Sequence, residues 1–285
     1  MMKKREILWS MGLAAGRTLM KRLPAKQRYQ LAGALGKILS RLFPWQRRAV
    51  RRNLEVIRSF GGRRVRVDNV FRNFGYTLAD FLLDGTPEVR VEGREKAEEA
   101  FRQGKGALFL TSHLGSWELG GKILAQWGWD ATAVYQPYRS RAMQKFIQRR
   151  RAAGLEYLPV GKGAAVGMAR VLARGGALAV LADRPFGEEG ESVLLCGRPA
   201  RLPKGPFVFA VRQGSPVLPS FVLLEGPGRY RAVIEDPLWP AGKGPEAVKE
   251  LLDRMARILE KYVLNHPDQW YCFESVWKIA PAPGV

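Results

Sequence analysis

The chain has 285 residues, enough for one large α/β domain or a domain with an appendage, and its hydrophobic content of 46% excludes wholesale disorder. Its two cysteines, Cys196 and Cys272, form no disulfide framework, lack the company a zinc site needs, and fit a reduced compartment. The net charge of +21 is concentrated at one end: residues 1–72 hold 19 Lys or Arg against 3 Asp or Glu, a net +16, which leaves +5 for the other 213 residues. A basic end of this kind calls for an anionic partner: a membrane surface, nucleic acid or an acidic protein. A merely solvated face is the plainer reading.

Lys3-Lys4-Arg5 precede the apolar run Ile7 to Ala15, about ten residues long, which is half the roughly 20 needed to span a bilayer. A helix lying in the interface fits, with Trp9 at headgroup depth and Arg17, Lys21 and Arg22 on lipid phosphates; an ordinary packing helix also fits. The charge-then-apolar order is that of a signal peptide, but no convincing cleavage region follows. Residues 26–42 place Tyr29, Leu31, Leu35, Ile38, Leu39 and Leu42 near helical spacing, with Lys26, Arg28, Lys37 and Arg41 on the other side. Residues 47–58 form a third basic segment with Val50, Leu54 and Ile57 as its stripe. Residues 65–84 are a more aromatic helix that ends at Gly85-Thr86-Pro87. Residues 1–85 are thus a run of basic amphipathic helices that form one unit, and 86–285 form a second.

From Val89 helices and strands alternate. Helices are expected at 94–103, 117–127, 143–153, 164–174, 207–212 and 246–264. Strands are expected at 107–110, 131–135, 155–160, 177–182, 217–224 and 230–234. The pattern predicts an α/β fold with a mixed, partly parallel central sheet flanked by helices.

Several site classes are absent. The chain has no Gly-x-Ser-x-Gly elbow, no His-Glu-x-x-His and no Walker A loop. Gly161-x-Gly163-x-x-x-Gly167 carries one residue too many for a dinucleotide fingerprint. RNA-binding signatures are missing too, and the basic segments interleave Leu and Ile, which suits lipid more than stacked bases. What stands out is ALFLTSHLGSWEL, residues 107–119. A buried strand runs into His113, Gly115 loosens the turn, Ser116 is the N-cap, and Glu118 lies in the first turn of a helix. Ligand sites in open α/β sheets lie at this strand edge. An imidazole with a carboxylate on its far nitrogen is a general base, and without an enzyme nucleophile it would act on a substrate hydroxyl. On spacing alone, a structural histidine with a routine first-turn acid fits equally.

His113-Leu114-Gly115-Ser116-Trp117-Glu118 resembles the His-x4-Asp/Glu motif of glycerolipid-type acyltransferases, and in particular of the bacterial lipid A biosynthesis (lauroyl/myristoyl) acyltransferase family. Further matches follow in family order: Leu35-Gly36, Arg52-Asn53-Leu54, Tyr135-x-Pro137, Arg150-x-x-x-Gly154, Gly175-Gly176 and Ala182-Asp183-Arg184. Gly205-Pro206, Gly214-Ser215-Pro216-Val217-Leu218-Pro219 and His266-Pro267-Asp268-Gln269-Trp270 complete the set. The resemblance implies an O-acyltransferase on the cytoplasmic face of the bacterial inner membrane. It would take its acyl chain from a thioester of acyl carrier protein or coenzyme A and need no metal or redox cofactor. Its partners would be that donor and anionic membrane lipid, not nucleic acid. The implied roles are His113 as base and Glu118 as its orienting acid. Amides of the turn at Gly115 and Ser116, or an arginine, would serve the oxyanion. Arg150, Asp183 and Arg184 would bind substrate or shape the site. Gln136 stands where relatives often have arginine, with Arg139 as the substitute. Phe273-Glu274-Ser275 replaces a basic pair, which bears on the acceptor: a lipid A precursor, another glycolipid or a lysophospholipid. The rival from another class is a non-catalytic basic protein that binds membrane or nucleic acid.

Overall fold

The computed structural model describes residues 16–18, 20–83, 87–138, 140–151, 153–185 and 190–277. The expected interfacial segment 7–15 lies outside them. The first helices are α1 (Ala25–Leu42), α2 (Pro44–Ser59) and α3 (Val67–Leu82). Proline precedes α1 and opens α2, where the missing N–H breaks no intrahelical bond.

The buried face of α1 differs from the expected one. Ala32, Gly33, Gly36 and Ser40 point inward, while Leu35, Ile38 and Leu42 are 44%, 49% and 67% exposed. The cause is close backbone packing on α3: a Cβ on Gly36 would stand 2.2 Å from the Phe71 carbonyl oxygen, and one on Gly75 would stand 2.4 Å from that of Ala32. Only the glycine face of α1 can approach so near. The large aliphatic side chains turn elsewhere.

The second part contains β1 (Glu88–Glu92), α4 (Arg94–Arg102), β2 (Ala107–Thr111), α5 (Trp117–Gln126), β3 (Ala131–Tyr135), α6 (Arg141–Gln148), β4 (Glu156–Pro159), α7 (Ala164–Ala173) and β5 (Ala177–Leu181). There follow β6 (Glu191–Leu195), β7 (Arg198–Leu202), α8 (Gly205–Gln213), β8 (Val217–Gly226), β9 (Arg229–Ile234) and α9 (Pro245–Asn265). Seven strands form one sheet in the order β1-β9-β8-β2-β5-β3-β4. Every neighbouring pair is parallel except β8–β9. The mixed, mostly parallel sheet is therefore as expected.

The central strand β2 is buried on both faces, as a parallel strand between helical layers must be. Leu108 and Leu110 pack in one cluster with Leu172 of α7, Phe207 of α8 and Leu251 of α9, while Ala107 and Phe109 face Ala97 of α4 and Leu124 of α5. Each fully buried leucine contributes on the order of 2 kcal/mol. Val56 and Ile57 of α2 belong to the first cluster, so the basic helices share the core of the sheet. Asp80 of α3 adds a polar tie. It accepts hydrogen bonds of 2.5 Å from Tyr29 of α1 and from Tyr230 of β9.

Two elements were not expected. Strand β1 is short and half exposed, and β6–β7 form an antiparallel hairpin closed by Cys196 (φ 51°) and Gly197 (φ 66°). Two left-handed residues make the turn that matches strand twist. A cysteine there, instead of asparagine or aspartate, hides the signal.

Candidate active site

Strands β2 and β5 run parallel with Thr111 opposite Leu181, and the Ala182 N–H donates to the Thr111 carbonyl at 2.8 Å. The register carries on past the strand ends, so His113 and Asp183, each two residues beyond, stand side by side at the carboxyl edge. His113 Nδ1 lies 2.8 Å from Asp183 Oδ1. The His113 backbone N–H donates to Oδ2 at 3.1 Å, and Trp270 Nε1 donates to the same oxygen at 3.0 Å. The Asp183 side chain is fully buried, whereas that of His113 is 16% exposed.

Arg184 Nη2 stands 3.2 Å from the other imidazole nitrogen, Nε2. A guanidinium can only donate, so Nε2 carries the lone pair and Nδ1 the proton that faces Asp183. Burial alone would raise the Asp183 carboxyl, but His113, Trp270 and Arg184 together outweigh it and hold it down to about 2. The carboxylate is therefore ionised throughout the working range and fixes the tautomer that leaves Nε2 basic.

Glu118, the expected partner, does not hold the imidazole. Its carboxylate lies 3.8 Å from Arg151. The reason is helical phase. Trp117, the first residue of α5, sets its ring edge-on to His113 at 5.1 Å, and the next residue projects about 100° further round. Glu118 still lines the same cavity as His113. Burial pushes its carboxyl above the usual range, opposed by Arg151, Lys122 and His113.

The turn amides are already used. Gly115 N–H donates to the Gln269 carbonyl at 2.9 Å, and Ser116 N–H donates to the Val222 carbonyl at 2.8 Å. The expectation that they serve an oxyanion is thereby corrected. Gly115 is needed for another reason: its φ is +68°, and a Cβ would stand 1.9 Å from the Val222 oxygen. Ser116 occupies the N-cap position of α5, but its side chain makes no capping bond.

Arg139 lies outside the described residues. Arg150, just past the end of α6, turns back onto that helix, with its guanidinium 3.5 Å from the centre of the Phe146 ring and a bond to the Phe146 carbonyl. Its neighbour Arg151 takes the cavity-facing position instead. That side chain is only 8% exposed, lies between the rings of Tyr135 (4.4 Å) and Tyr157 (4.7 Å), and keeps Nε and Nη1 buried without hydrogen-bond partners. The exchange follows from where α6 stops. Ending at Gln148 and not at 153, it hands the arginine run to a turn that changes which side chain points inward.

The C-terminal segment, quoted in the sequence but given no role there, holds the site in place. Gln269 bonds Leu224 through both ends of its amide, at 2.7 and 2.9 Å. Trp270 reaches Asp183, and the Tyr271 N–H donates to the His113 carbonyl at 2.7 Å. Asn53 of α2 donates to the Cys272 and Glu274 carbonyls at 3.2 and 2.8 Å, which ties the basic helices to this segment. His266 is the C-cap residue of α9.

His113 opens on a cavity of about 670 Å³ whose walls include Glu118, Arg151, Tyr138, Arg184 and Glu274. An apolar slot of about 70 Å³ adjoins it, sharing Thr111, Trp117, Gly121 and Ala179 and running on between Ile123, Leu124, Trp127 and Val222. The arrangement places an imidazole nitrogen beside a polar chamber with an apolar annex.

The chain is similar to several known proteins. The chain is 27% identical over 191 residues to the phosphatidylinositol mannoside acyltransferase of Mycobacterium tuberculosis, a match covering 66% of this chain and 59% of that enzyme. It is 23% identical over 222 residues to the lipid A biosynthesis palmitoleoyltransferase of Escherichia coli, covering 74% and 71%. The solved 1-acyl-sn-glycerophosphate acyltransferase of Thermotoga maritima aligns over 83% of this chain and 98% of its own, at 17% identity and a TM-score of 0.37, a likeness too slight to bear on function. The family model for bacterial lipid A biosynthesis acyltransferases matches residues 2–279. The chain spans about three fifths of the length of the mannoside acyltransferase it matches, and nearly the whole of it belongs to the bacterial lipid A biosynthesis acyltransferase family.

Proposed function

We propose that the protein moves a fatty acyl chain from a thioester of acyl carrier protein or coenzyme A to a hydroxyl of a lipid A precursor or similar glycolipid. The observation that carries this reading is the His113–Asp183 pair: buried Asp183 lies 2.8 Å from Nδ1, and Nε2, with Arg184 at 3.2 Å, adjoins a cavity large enough for a sugar headgroup. The acceptor hydroxyl displaces Arg184 from Nε2 and gives its proton to the imidazole. Its oxygen attacks the thioester carbonyl carbon. Arg184, the cation nearest that nitrogen, steadies the oxyanion. The intermediate collapses, the carbon–sulfur bond breaks, and the thiolate takes the proton back from the imidazolium. The slot behind Trp117 has room for only a few methylenes beside the thioester, while Arg151 and Glu118 grip the headgroup.

The basic helices support a membrane-surface enzyme on the cytoplasmic face of the inner membrane. No described helix is long and apolar enough to cross a bilayer. A second reading of the acceptor is favoured by Glu274. It lines the cavity, with its side chain 80% exposed, where many lipid A acyltransferases have a basic pair. That reading is another glycolipid or a lysophospholipid, and a relative named as a phosphatidylinositol mannoside acyltransferase accords with it. Mass spectrometry of lipids from cells lacking or overproducing the protein tests both. One lipid class should gain or lose an acyl chain in step with the protein, and an unchanged lipid profile would remove the proposal.

A further inference from the structure

The acids and arginines among the described residues that line the His113 cavity pair off. Arg151 lies 3.8 Å from Glu118, and Arg184 lies 3.9 Å from Glu274. The first pair is largely buried. The second is open to solvent, and an ion pair so exposed adds little to the stability of a fold. The backbone that carries Glu274 is nonetheless fixed. Its carbonyl accepts from Asn53 Nδ2 at 2.8 Å, and Asn53 Oδ1 accepts from the Val276 N–H at 3.2 Å. The ring of Phe273, the preceding residue, packs 5.1 Å from those of Phe71 and Phe74. A solvent-facing carboxylate therefore stands on an anchored root at the edge of the cavity.

Arg184 is anchored in a similar way. Pro185 follows it and restricts the backbone of the residue before. Asp183 precedes it and is fixed by His113 and Trp270. The freedom of Arg184 lies in its side chain, which spans two partners: Nη2 is 3.2 Å from His113 Nε2, and Nη1 is 3.9 Å from Glu274 Oε1. A guanidinium can only donate, so on Nε2 it fills the place that an acceptor hydroxyl needs. It has to leave that nitrogen before the imidazole can take a proton. In a chamber filled by a lipid headgroup, a cation that gives up one partner needs another, because water no longer screens it. Glu118 is engaged with Arg151, and Asp183 with the far side of the imidazole. Glu274 is the remaining acid among the described lining residues.

We infer that Glu274 is a positioning residue that draws Arg184 off the base. The guanidinium rests on Nε2 and closes onto Glu274 when the acceptor hydroxyl arrives. There it stands beside the imidazole and faces the oxyanion. The inference rests on the acyltransferase reading above and adds the side chain that unmasks its base.

The test uses the full chain labelled with nitrogen-15 at histidine. The sequence holds only His113 and His266, so His266→Gln assigns the two imidazoles. At alkaline pH and without substrate, the His113 Nε2 resonance reports how strongly Arg184 donates to it. Glu274→Gln should move that resonance further from the position of a bare lone pair, and Arg184→Ala should bring it there. In acyl transfer, Glu274→Gln should lower kcat about tenfold with the acceptor KM within about twofold, and Glu274→Asp should recover most of the loss. Urea midpoints should match the parent. Because Glu274 acts through Arg184, Glu274→Gln should change neither the resonance nor kcat in an Arg184→Ala background. An equal loss in both backgrounds would overturn the inference and assign Glu274 to the substrate. A resonance and kcat unchanged by Glu274→Gln in the parent would overturn it too. The resonance is read without turnover, so the expected shifts in a protein that transfers no acyl chain would uphold the exchange of Arg184 and remove the acyltransferase reading instead.

Discussion

Asp183→Asn keeps the size of the buried side chain and changes only its charge and donor pattern. Three N–H groups converge on the carboxylate: the His113 ring, the His113 backbone and Trp270. An asparagine offers one acceptor oxygen and a donor NH2, so at least one N–H must face another donor. If the amide NH2 turns toward Nδ1, the imidazole adopts the other tautomer and Nε2 loses its lone pair. In a histidine–aspartate pair of this geometry that change lowers kcat by roughly 10³–10⁴. Stability falls as well. A carboxyl held at about 2 against an ordinary 3.8 contributes roughly 2 kcal/mol, present above pH 4 and lost as pH falls toward 2. Asparagine lacks that contribution and its pH dependence. The assay is transfer of a radiolabelled acyl chain from thioester to lipid extract, with urea midpoints at pH 7 and pH 3 as the folding control. A folded Asp183→Asn protein within about tenfold of the parent in kcat would refute the reasoning.

Other substitutions separate the roles of the neighbours. Arg184→Ala should lower kcat by about 10²–10³ by removing the proposed oxyanion donor, with the acceptor KM nearly unchanged; an equal loss in 1/KM would reassign the residue to headgroup binding. Glu118→Gln should become more stable relative to the parent as pH rises. The folded parent retains a proton at pH values where the unfolded chain, titrating near 4.5, has released it, so ionised Glu118 weighs against the fold above that value. Urea midpoints from pH 4 to pH 8 read the difference, and a constant gap would contradict the burial of this carboxyl. Gly115→Ala should destabilise by about 3 kcal/mol or more, through the left-handed φ and the clash with the Val222 carbonyl; an unchanged midpoint would show that the turn is not as tight as described.

Much of this was legible in the residues. The alternation after Val89 fixed the class of fold because strands such as 107–110 and 177–182 are continuously apolar, as doubly covered parallel strands are. His113 was visible as a lone imidazole at a strand end. Its partner was harder to find. Glu118 is near in sequence, whereas Asp183 is 70 residues away and becomes a neighbour only through the β2–β5 register. The sequence marks Asp183 only as a residue that binds substrate or shapes the site. Arg151 was hidden behind Arg150 by an overlong helix, since nothing in 143–153 marks the stop at Gln148. The exposed leucines of α1 were misplaced because apolar spacing alone cannot show that glycines will set the packing face.

The proposed role of His113, as the base that activates the acceptor hydroxyl, carries the rest of the mechanism. The direct measurement is single-turnover acyl transfer by the purified protein, from radiolabelled acyl carrier protein or coenzyme A thioester to a membrane lipid extract, for the parent and His113→Ala. Labelled lipid is expected from the parent and a rate at least about 10³-fold lower from the folded variant, with vesicle binding retained. Equal transfer by His113→Ala would contradict it.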